Sequence, residues 1–250
     1  MHKGLLIAGS ALALSLAGCA TIESAVPQAA ATASIAAAVA NPARPAEDRA
    51  RDANRKPAAI VEFAGVRPGQ VIAEIAPGGG YYTRILSRAV GPTGRVYALM
   101  PAFFASRPGG LDAINAVAEE YGNVTVVVAD FSAIALPENA DLVWTTENYH
   151  DMANGDIAAV NASVFATLKP GGLYFVEDHE AAAGTGMEAT STLHRIDPAA
   201  VIEQVTAAGF TLEAESDALA NPDDPKTVGV RDESVAGRTE KFALRFRKPG

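Results

Sequence analysis

The sequence predicts an α/β fold built on a parallel sheet with helices on both faces. Two observations lead to this prediction. Short apolar runs rich in β-branched or aromatic residues alternate along the chain with helical stretches, and such alternation is typical of parallel sheets. In addition, the first of these runs leads into three consecutive glycines and then into a helix, which is how many nucleotide-type pockets are built.

The elements are expected in the following order. The first element is a helix over residues 56–64, with Pro57 in its first turn. The first strand starts at residue 71, and a second helix follows at 82–89. The first five strands are expected to be buried on both faces of the sheet. The remaining strands are predicted at 94–99, 123–130, 141–146, 172–177, 211–216 and 241–247, and the remaining helices at 110–121, 156–168 and 198–208.

The glycine loop, residues 74–80, is the most informative motif. It reads Glu-Ile-Ala-Pro-Gly-Gly-Gly. Glycines let the backbone turn sharply and lie against a ligand, and the free N–H groups of the following helix attract a carboxylate or phosphate. The loop therefore predicts a small anionic cofactor, although a plain strand-to-helix turn explains it as well when it is taken alone.

Other nucleotide motifs fit the loop poorly. A dinucleotide fingerprint needs Gly-x-Gly-x-x-Gly, and if Gly78 and Gly80 are its first two glycines, Thr83 takes the third place. NAD and FAD are therefore disfavoured. A Walker loop needs Gly-Lys-Ser/Thr, which this loop does not contain.

From about residue 44 to residue 248 the chain resembles a bacterial family of exported class I S-adenosylmethionine (SAM)-dependent methyltransferases. The resemblance implies a Rossmann-like class I methyltransferase fold with a mostly parallel seven-stranded sheet and an antiparallel C-terminal strand. It also implies SAM as the cofactor. The motifs that carry it are Glu74 to Thr83, Asn-Tyr-His-Asp at 148–151, Leu-Lys-Pro-Gly-Gly at 168–172, Asp-His at 178–179 and His-Arg-Ile-Asp at 194–197.

The resemblance further implies where the cofactor binds. The loop would lie under the methionine end of SAM, and Asp130 would meet the adenine. One departure is that the second strand ends Leu99-Met100-Pro101, where the family usually has an acid that binds both ribose hydroxyls. Loss of the hydrogen bonds between this carboxylate and the ribose costs roughly 1.5–3 kcal/mol of binding free energy. That corresponds to an affinity for SAM weaker by on the order of tenfold to a hundredfold. The predicted cofactor-binding residues are Glu74, Ala76, Pro77, Gly78, Gly79, Gly80, Leu99, Asp130 and Phe131.

Three histidines follow the fourth and fifth predicted strands. His150 precedes Asp151, Asp178 precedes His179, and His194 lies beyond them. These loops are expected to meet at one edge of the sheet, because open α/β sheets bind their ligands beyond the carboxyl ends of the strands.

Three interpretations of these residues stay open. In the first, the histidines are ordinary polar loop residues, and Asn148 or Asp151 caps a helix. In the second, one histidine is the general base that deprotonates a methyl acceptor. In the third, His150, His179 and an aspartate bind a metal ion, although the sequence has no closely spaced pair of histidines to support it. We predict catalytic roles and no metal. The predicted catalytic residues are His150, Asp151, Asp178 and His179, and the predicted acceptor-binding residues are Tyr81, Glu147, Asn148, Tyr149 and His194.

Residues 1–18 have the order of a lipoprotein signal peptide. A basic start at Lys3 is followed by an apolar stretch over 5–16, too short to span a bilayer, and by Leu-Ala-Gly-Cys. That motif resembles the bacterial lipobox, which implies a diacylglycerol on Cys19 and a periplasmic, membrane-anchored lipoprotein; the alternative is a buried structural cysteine after an ordinary signal. Residues 19–44 are predicted to be an Ala-rich tether, in part helical, and residues 45–250 a methyltransferase-like domain.

The composition limits the partners. The formal net charge is −9, and removal of residues 1–18 would take away only Lys3 and leave −10. Nucleic acid is excluded as an expected partner, since phosphate backbones demand a basic face. Two functions stay open: a lipid-anchored methyltransferase acting on a small molecule or envelope component, and a non-catalytic binding module that keeps the fold. SAM is made in the cytoplasm, so export makes the second a serious alternative.

Overall fold

The computed structural model of the protein describes Met1 and residues 25–250. No helix in this part of the chain is long and apolar enough to cross a membrane. The strands are β1 (Val71–Ile75), β2 (Arg95–Pro101), β3 (Val124–Ala129), β4 (Ala140–Thr146), β5 (Leu168–His179), β6 (Thr211–Ser216) and β7 (Lys241–Arg247). The helices are α1 (Ala25–Val39), α2 (Ala46–Ala50), α3 (Asp52–Arg55), α4 (Pro57–Phe63), α5 (Tyr81–Val90), α6 (Ala102–Ala105), α7 (Asp112–Tyr121), α8 (Tyr149–Met152), α9 (Ile157–Thr167), α10 (Thr190–Leu193) and α11 (Pro198–Ala207), with a 3-10 turn at Phe131–Ala133.

The strands form one sheet in the order β3-β2-β1-β4-β5-β7-β6. The first five pair in parallel, and β7 lies antiparallel to both β5 and β6. The predicted seven-stranded, mostly parallel α/β fold is therefore confirmed. The order reverses between β1 and β4, and this is the point where open α/β sheets form a ligand crevice.

Burial along the strands is less uniform than expected. All five residues of β1 are buried, as the sequence predicts for a central strand. In β3 only Val124 is fully buried, and Val128 is 48% exposed. The reason is topological: β3 pairs with β2 alone and forms an edge of the sheet, so the expectation of two buried faces is wrong for this strand.

Apolar side chains pack on both faces of the sheet. One cluster joins α1, α4, α5 and α7 to the sheet and includes Ile60, Ile85 and Trp144. The other joins α9 and α11 to the opposite face and includes Tyr149, Val164 and Tyr174. Helices thus cover both faces, which leaves the carboxyl ends of the parallel strands as the open edge.

The segment predicted to be a tether is structured from residue 25 onward. Ile35 of α1 is buried in the core, and the hydroxyl of Ser34 donates a hydrogen bond to the Ala89 carbonyl at 2.8 Å. Arg44 is fully buried and forms a two-bond ion pair with Asp52. Packing on the apolar faces of α4 and α5 explains why these residues do not behave as a free linker. Residues 2–24, which include nearly all of the predicted signal peptide, Cys19 and the start of the predicted tether, lie outside the described residues.

Candidate active site

The glycine loop has a left-handed backbone at three of its positions. The φ angles are +49° at Ala76, +57° at Gly78 and +85° at Gly80. A left-handed conformation costs a residue with a Cβ roughly 1–2 kcal/mol, so Ala76 adopts the backbone that a glycine would adopt freely. The N–H of Ala76 donates to the Leu99 carbonyl at 2.9 Å, and its carbonyl accepts from Asn148 Nδ2 at 3.2 Å. These bonds fix the loop between β2 and the end of β4.

Two of the three glycines face open space. A Cβ added at Gly78 or Gly79 would meet no atom within 4 Å, whereas one added at Gly80 would lie 2.8 Å from Val117 Cγ2. Gly80 is thus required for packing against α7, and the other two leave the backbone accessible. The first N–H groups of α5 have no partner inside the helix and favour an anionic group nearby. This part of the loop can lie directly against a ligand.

Glu74 lies at the end of β1, beneath the loop. Its side chain is buried and accepts a hydrogen bond of 2.6 Å from the Thr83 hydroxyl. Burial raises the pKa of Glu74 to about 7, against the opposing effect of the Thr83 hydrogen bond. Glu74 therefore lies near its titration midpoint at neutral pH, and a cationic group bound above it would favour the ionised carboxylate.

A cavity of about 200 Å³, called here the loop cavity, lies over these residues. Its size alone falls below the usual 300–1,000 Å³ of small-molecule sites. Polar and charged side chains from three separate segments of the chain reach it. Its lining comprises Arg51, Arg55, Glu74, Ala76, Pro77, Gly78, Gly79, Tyr81, Tyr82, Thr146, Glu147 and Asn148.

Tyr81 supports the cationic side of the loop cavity. Its hydroxyl donates a 2.6 Å hydrogen bond to Asp52, and the guanidinium carbons of Arg51 and Arg55 lie 4.8 and 4.9 Å from the centre of its ring. Cations at this distance from an aromatic face are stabilised by it. The tyrosine predicted to contact the acceptor therefore holds two arginines at the cavity wall.

Glu147 separates the loop cavity from a second, larger one. Its carboxylate pairs with Arg55 at 2.5 Å and with Lys241 at 2.6 Å. Burial opposes ionisation, but Lys241 and Arg55 outweigh it and hold the pKa of Glu147 well below its usual range. Buried Glu177, 3.5 Å from Lys241, has its pKa raised, chiefly by burial. Glu147 is thus ionised at neutral pH, and the pKa values of the two neighbouring carboxyl groups are shifted in opposite directions.

The second cavity, called here the histidine cavity, has a volume of about 350 Å³. It contains all three of the predicted histidines, and Arg51, Arg55 and Glu147 belong to both cavities. The loops after β4 and β5 therefore converge as expected. The lining comprises Arg51, Asn54, Arg55, Glu147, His150, Asp151, His179, His194, Val230, Arg231, Gly237 and Lys241.

Asp178 positions two of these histidines. Its Oδ1 lies 2.8 Å from His150 Nδ1 and accepts from the main-chain N–H of His179 at 2.7 Å, and its Oδ2 accepts from the main-chain N–H of His150 at 2.8 Å. The carboxylate is fully buried and does not line the cavity. Its role in the structure is to orient His150, while the catalytic role predicted for it stays a prediction.

The two imidazoles differ in their tendency to carry a proton. Burial favours neutral His150, but the hydrogen bond and charge of Asp178 outweigh it, so the pKa of His150 is raised. Burial dominates at His179 and lowers its pKa to about 4. A hydrogen bond of 2.7 Å joins His179 Nδ1 to the Thr239 hydroxyl. At neutral pH the imidazole of His179 is therefore unprotonated.

The His-Arg-Ile-Asp motif, residues 194–197, has a structural and a cavity-facing part. Arg195 is fully buried and binds both carboxylate oxygens of Asp224 at 2.8 and 3.1 Å. Asp197 caps α11 by accepting from the Ala199 N–H at 2.9 Å. These anchors hold His194, whose own φ is +55°, at the wall of the histidine cavity.

Several predicted site residues lie away from both cavities. Tyr149 is buried in the core that α9 and α11 cover, where its hydroxyl bonds to Gln204 and Asn161. It lines neither cavity, and its contact with the acceptor stays a prediction. Leu99 is also in that core. Asp130 is exposed and accepts from the Ser132 N–H at 2.9 Å. The adenine contacts of Leu99, Asp130 and Phe131 stay predictions.

Sequence reasoning missed the cationic residues of the site. Arg51 lies between α2 and α3, Arg55 is the last residue of α3, and Lys241 begins β7. The signal for them was weak because they lie far along the chain from the glycine loop. A lysine at the start of the otherwise apolar run Phe242 to Leu244 was the one available indication.

No protein-family model matches the chain. Over 117 residues it is 32% identical to the ubiquinone/menaquinone biosynthesis C-methyltransferase UbiE of Hydrogenovibrio crunogenus, and over 117 residues 35% identical to that of Pseudomonas aeruginosa. Each match covers 46% of this chain and 44% of the relative. The chain thus matches less than half the length of these relatives.

Solved structures resemble the chain over more of its length. A SAM-dependent methyltransferase from Aquifex aeolicus is 18% identical and superposes with a TM-score of 0.56, covering 78% of this chain and 88% of its own. A SAM-dependent methyltransferase from Mesorhizobium loti is 17% identical and superposes with a TM-score of 0.58, and the match covers 79% of this chain and 100% of that protein. The [4+2]-cyclase SpnF is 17% identical, also with a TM-score of 0.58, covering 90% and 95%. The chain therefore has the Rossmann-like fold of SAM-dependent methyltransferases.

Proposed function

We propose that the protein is a SAM-dependent methyltransferase. The observation that carries the proposal is the accessible backbone at Gly78 and Gly79, which lies next to buried Glu74 and close to a second polar cavity that shares residues with the first. Sequence similarity to named methyltransferases supports the same activity.

The residues of the loop cavity fit SAM. Bound SAM supplies an activated methyl group on its sulfonium sulfur. Gly78 and Gly79 offer backbone to the methionyl part, ionised Glu74 favours a nearby cationic group, and Arg51 and Arg55 suit a carboxylate. Because the loop cavity is small in this structure, separation of Arg55 from Glu147 is proposed to accompany binding and to join the two cavities.

The charges of the histidine cavity indicate the class of acceptor. Four cationic side chains, Arg51, Arg55, Arg231 and Lys241, line it against two carboxylates, Glu147 and Asp151, in a chain whose net charge is −9. We propose that the acceptor is anionic or carries an acidic hydroxyl. Such an acceptor needs little help from a base, which suits His179, because a base with a low pKa is weak.

Incubation of the full chain with SAM labelled in its methyl group and with extracts of bacterial lipids or polar metabolites tests this function. The expected result is label in an acceptor with a negative charge. The matched variants are Gly79→Val, which fills the loop cavity and should abolish transfer, and Gly229→Val, which should not. Transfer to neutral acceptors alone would contradict the proposed acceptor class.

The second candidate is a non-catalytic binding module. It is favoured by the absence of a carboxylate at the end of β2, where Leu99-Met100-Pro101 stand, and by the resemblance to a cyclase, which shows that a similar fold is not tied to one reaction. Binding of SAM without methyl transfer to any extract would support this alternative.

Localisation in the periplasm through a lipidated Cys19 is part of the proposal. It is supported by the order of a basic start, an apolar stretch and Leu-Ala-Gly-Cys in residues 1–19. The test compares the unmutated protein with Cys19→Ser by membrane fractionation and intact mass. A diacylglycerol mass on the unmutated protein alone is expected, and a soluble protein without that mass would exclude the anchor.

A further inference from the structure

The histidine cavity brings three metal-binding side chains together. His150, Asp151 and His194 each offer one ligand atom, and these atoms lie within 4.8 Å of one another. The site differs from the metal set considered in the sequence, since His194 takes the place of His179. Asp151 and His194 are partly exposed on the cavity side, with 60% and 37% of their side chains accessible.

Two distances show how the group is spaced. His150 Nε2 lies 3.4 Å and His194 Nδ1 3.5 Å from the same oxygen of Asp151. Both separations exceed the 2.7–3.2 Å of ordinary N–H···O hydrogen bonds. Two ligand atoms at 2.0–2.1 Å from a tetrahedral zinc ion are about 3.4 Å apart. Both separations to Asp151 therefore match those between neighbouring ligands of one metal ion, and the two imidazole nitrogens lie within 4.8 Å of each other.

The surroundings of His150 are those of a metal ligand. Its Nδ1 faces Asp178 at 2.8 Å, and the same carboxylate accepts two main-chain N–H groups. An acceptor of this kind holds the proton on Nδ1 and leaves the lone pair on Nε2, toward Asp151. Histidines that bind metals almost always have their other nitrogen bound to a carboxylate, a carbonyl or water, which fixes the tautomer in this way.

The backbone of His194 adds a second indication. Its φ of +55° lies in the left-handed region, which is uncommon and strained for a residue with a Cβ. The neighbouring Arg195–Asp224 ion pair and the Asp197 cap hold this conformation, and it is the conformation that brings the imidazole to Asp151. Strain held in place by buried anchors is typical of functional positions.

We propose that His150 Nε2, Asp151 and His194 Nδ1 bind one divalent transition-metal ion, with zinc as the ion that best suits the donors. Two imidazoles and one carboxylate with a fourth, open position form the ligand set of catalytic rather than structural zinc sites. Three of the four cations in the cavity have carboxylate partners, which reduces their repulsion of the ion: Arg55 and Lys241 pair with Glu147, and Arg51 pairs with Asp48. The fourth, Arg231, keeps the cavity cationic.

The open position would face the cavity in which the acceptor is proposed to bind. A bound metal lowers the pKa of a coordinated hydroxyl, so the ion would prepare an acceptor oxygen without a strong base. This role rests on the proposed methyltransferase function, whereas the metal site itself does not.

Metal titration of the full chain tests the site. The protein, without a histidine tag, is dialysed against a chelator and titrated with Zn²⁺ by calorimetry and with Co²⁺ by visible absorption. One equivalent of each ion is expected, with Co²⁺ showing the absorption of a tetrahedral site. Asp151→Asn and His194→Gln, both partly exposed and so expected to fold, should each weaken affinity at least tenfold.

His179→Gln is the matched control, because it removes an imidazole from the same cavity but no proposed ligand. Its affinity should stay within threefold of the unmutated protein. Absence of stoichiometric binding, unchanged affinity in either ligand variant, or an equal loss in the control would overturn the proposal. SAM binding, measured separately on the chelated protein, distinguishes failure of this site from failure of the proposed function.

Discussion

Asp178 holds His150 by two hydrogen bonds of 2.8 Å, one to the imidazole Nδ1 and one to the main-chain N–H. Both oxygens of the carboxylate are used, since Oδ1 also accepts the N–H of His179. One buried side chain at the end of β5 thus fixes the start of α8 and the loop after β5 together. The geometry of the histidine cavity depends on this connection.

Asp178→Asn should therefore destabilise the protein. An amide keeps one accepting oxygen and turns an NH₂ group toward a donor that then has no partner, which costs about 1–3 kcal/mol in a buried site. Chemical denaturation of the full chain measures the loss. Asp223→Asn, at an exposed position, should change stability by less than about 0.5 kcal/mol; equal effects in the two variants would contradict the buried role of Asp178.

Glu74 should carry a pH-dependent cost in stability. Its folded pKa of about 7 lies above its ordinary value of 4.5, so the folded state binds the extra proton, and stability falls as pH rises from about 4.5 through 7. Glu74→Gln removes that loss and should be more stable than the unmutated protein at pH 8 by up to about 3 kcal/mol, but nearly equal at pH 4.5. A gain of the same size at both pH values would exclude titration as its cause.

His179 should have the opposite pH dependence. Its folded pKa of about 4 lies below the ordinary 6.5, so the unfolded chain binds the proton first and stability falls as pH drops from about 6.5 toward 4. Comparison of denaturation midpoints at pH 7 and pH 5 should show a smaller acid loss in His179→Gln than in the unmutated protein. Identical losses would mean that this imidazole is not buried in its neutral form.

Ala76→Gly should relieve the backbone of the loop. The left-handed φ of +49° costs alanine roughly 1–2 kcal/mol, and the greater chain entropy of glycine offsets about 0.5–1 kcal/mol of that. A net gain of up to about 1 kcal/mol in the free energy of unfolding is expected. Ala73→Gly, in the middle of β1, should instead lose stability, and a loss in both variants would contradict strain at Ala76.

Some features of the fold and of the glycine loop can be predicted from the sequence. Buried strands such as β1 and β4 were predictable because a short run of β-branched and apolar residues is typical of a strand that is buried in a sheet. The glycine loop was predictable because three glycines between a strand and a helix have few structural alternatives. The resemblance to a known family supplied the antiparallel β7, which periodicity alone does not distinguish from a parallel strand.

The features that were missed depend on long-range packing. Helix α1 is rich in alanine and has no clear apolar stripe, so its burial arises from the groove it occupies between α4 and α5. Tyr149 lies next to His150 in sequence, yet the turn of α8 directs the two side chains into different environments. Neighbours in sequence on a helix point in different directions, and only the fold shows which one faces the cavity.

Calorimetric titration of the full chain with SAM tests the central claim most directly. The chain should keep residues 25–44, because α1 and Arg44 belong to the folded core. Gly79→Val is a sharper probe than Gly78→Val, since Gly78 has a φ of +57° and Gly79 does not lie in the left-handed region. Gly229→Val is the matched control, because Gly229 also faces open space and has no left-handed φ, but it does not line the loop cavity. The account predicts one binding site, affinity at least tenfold weaker in Gly79→Val and unchanged affinity in Gly229→Val. No binding by the unmutated chain, or equal binding by all three proteins, would contradict it.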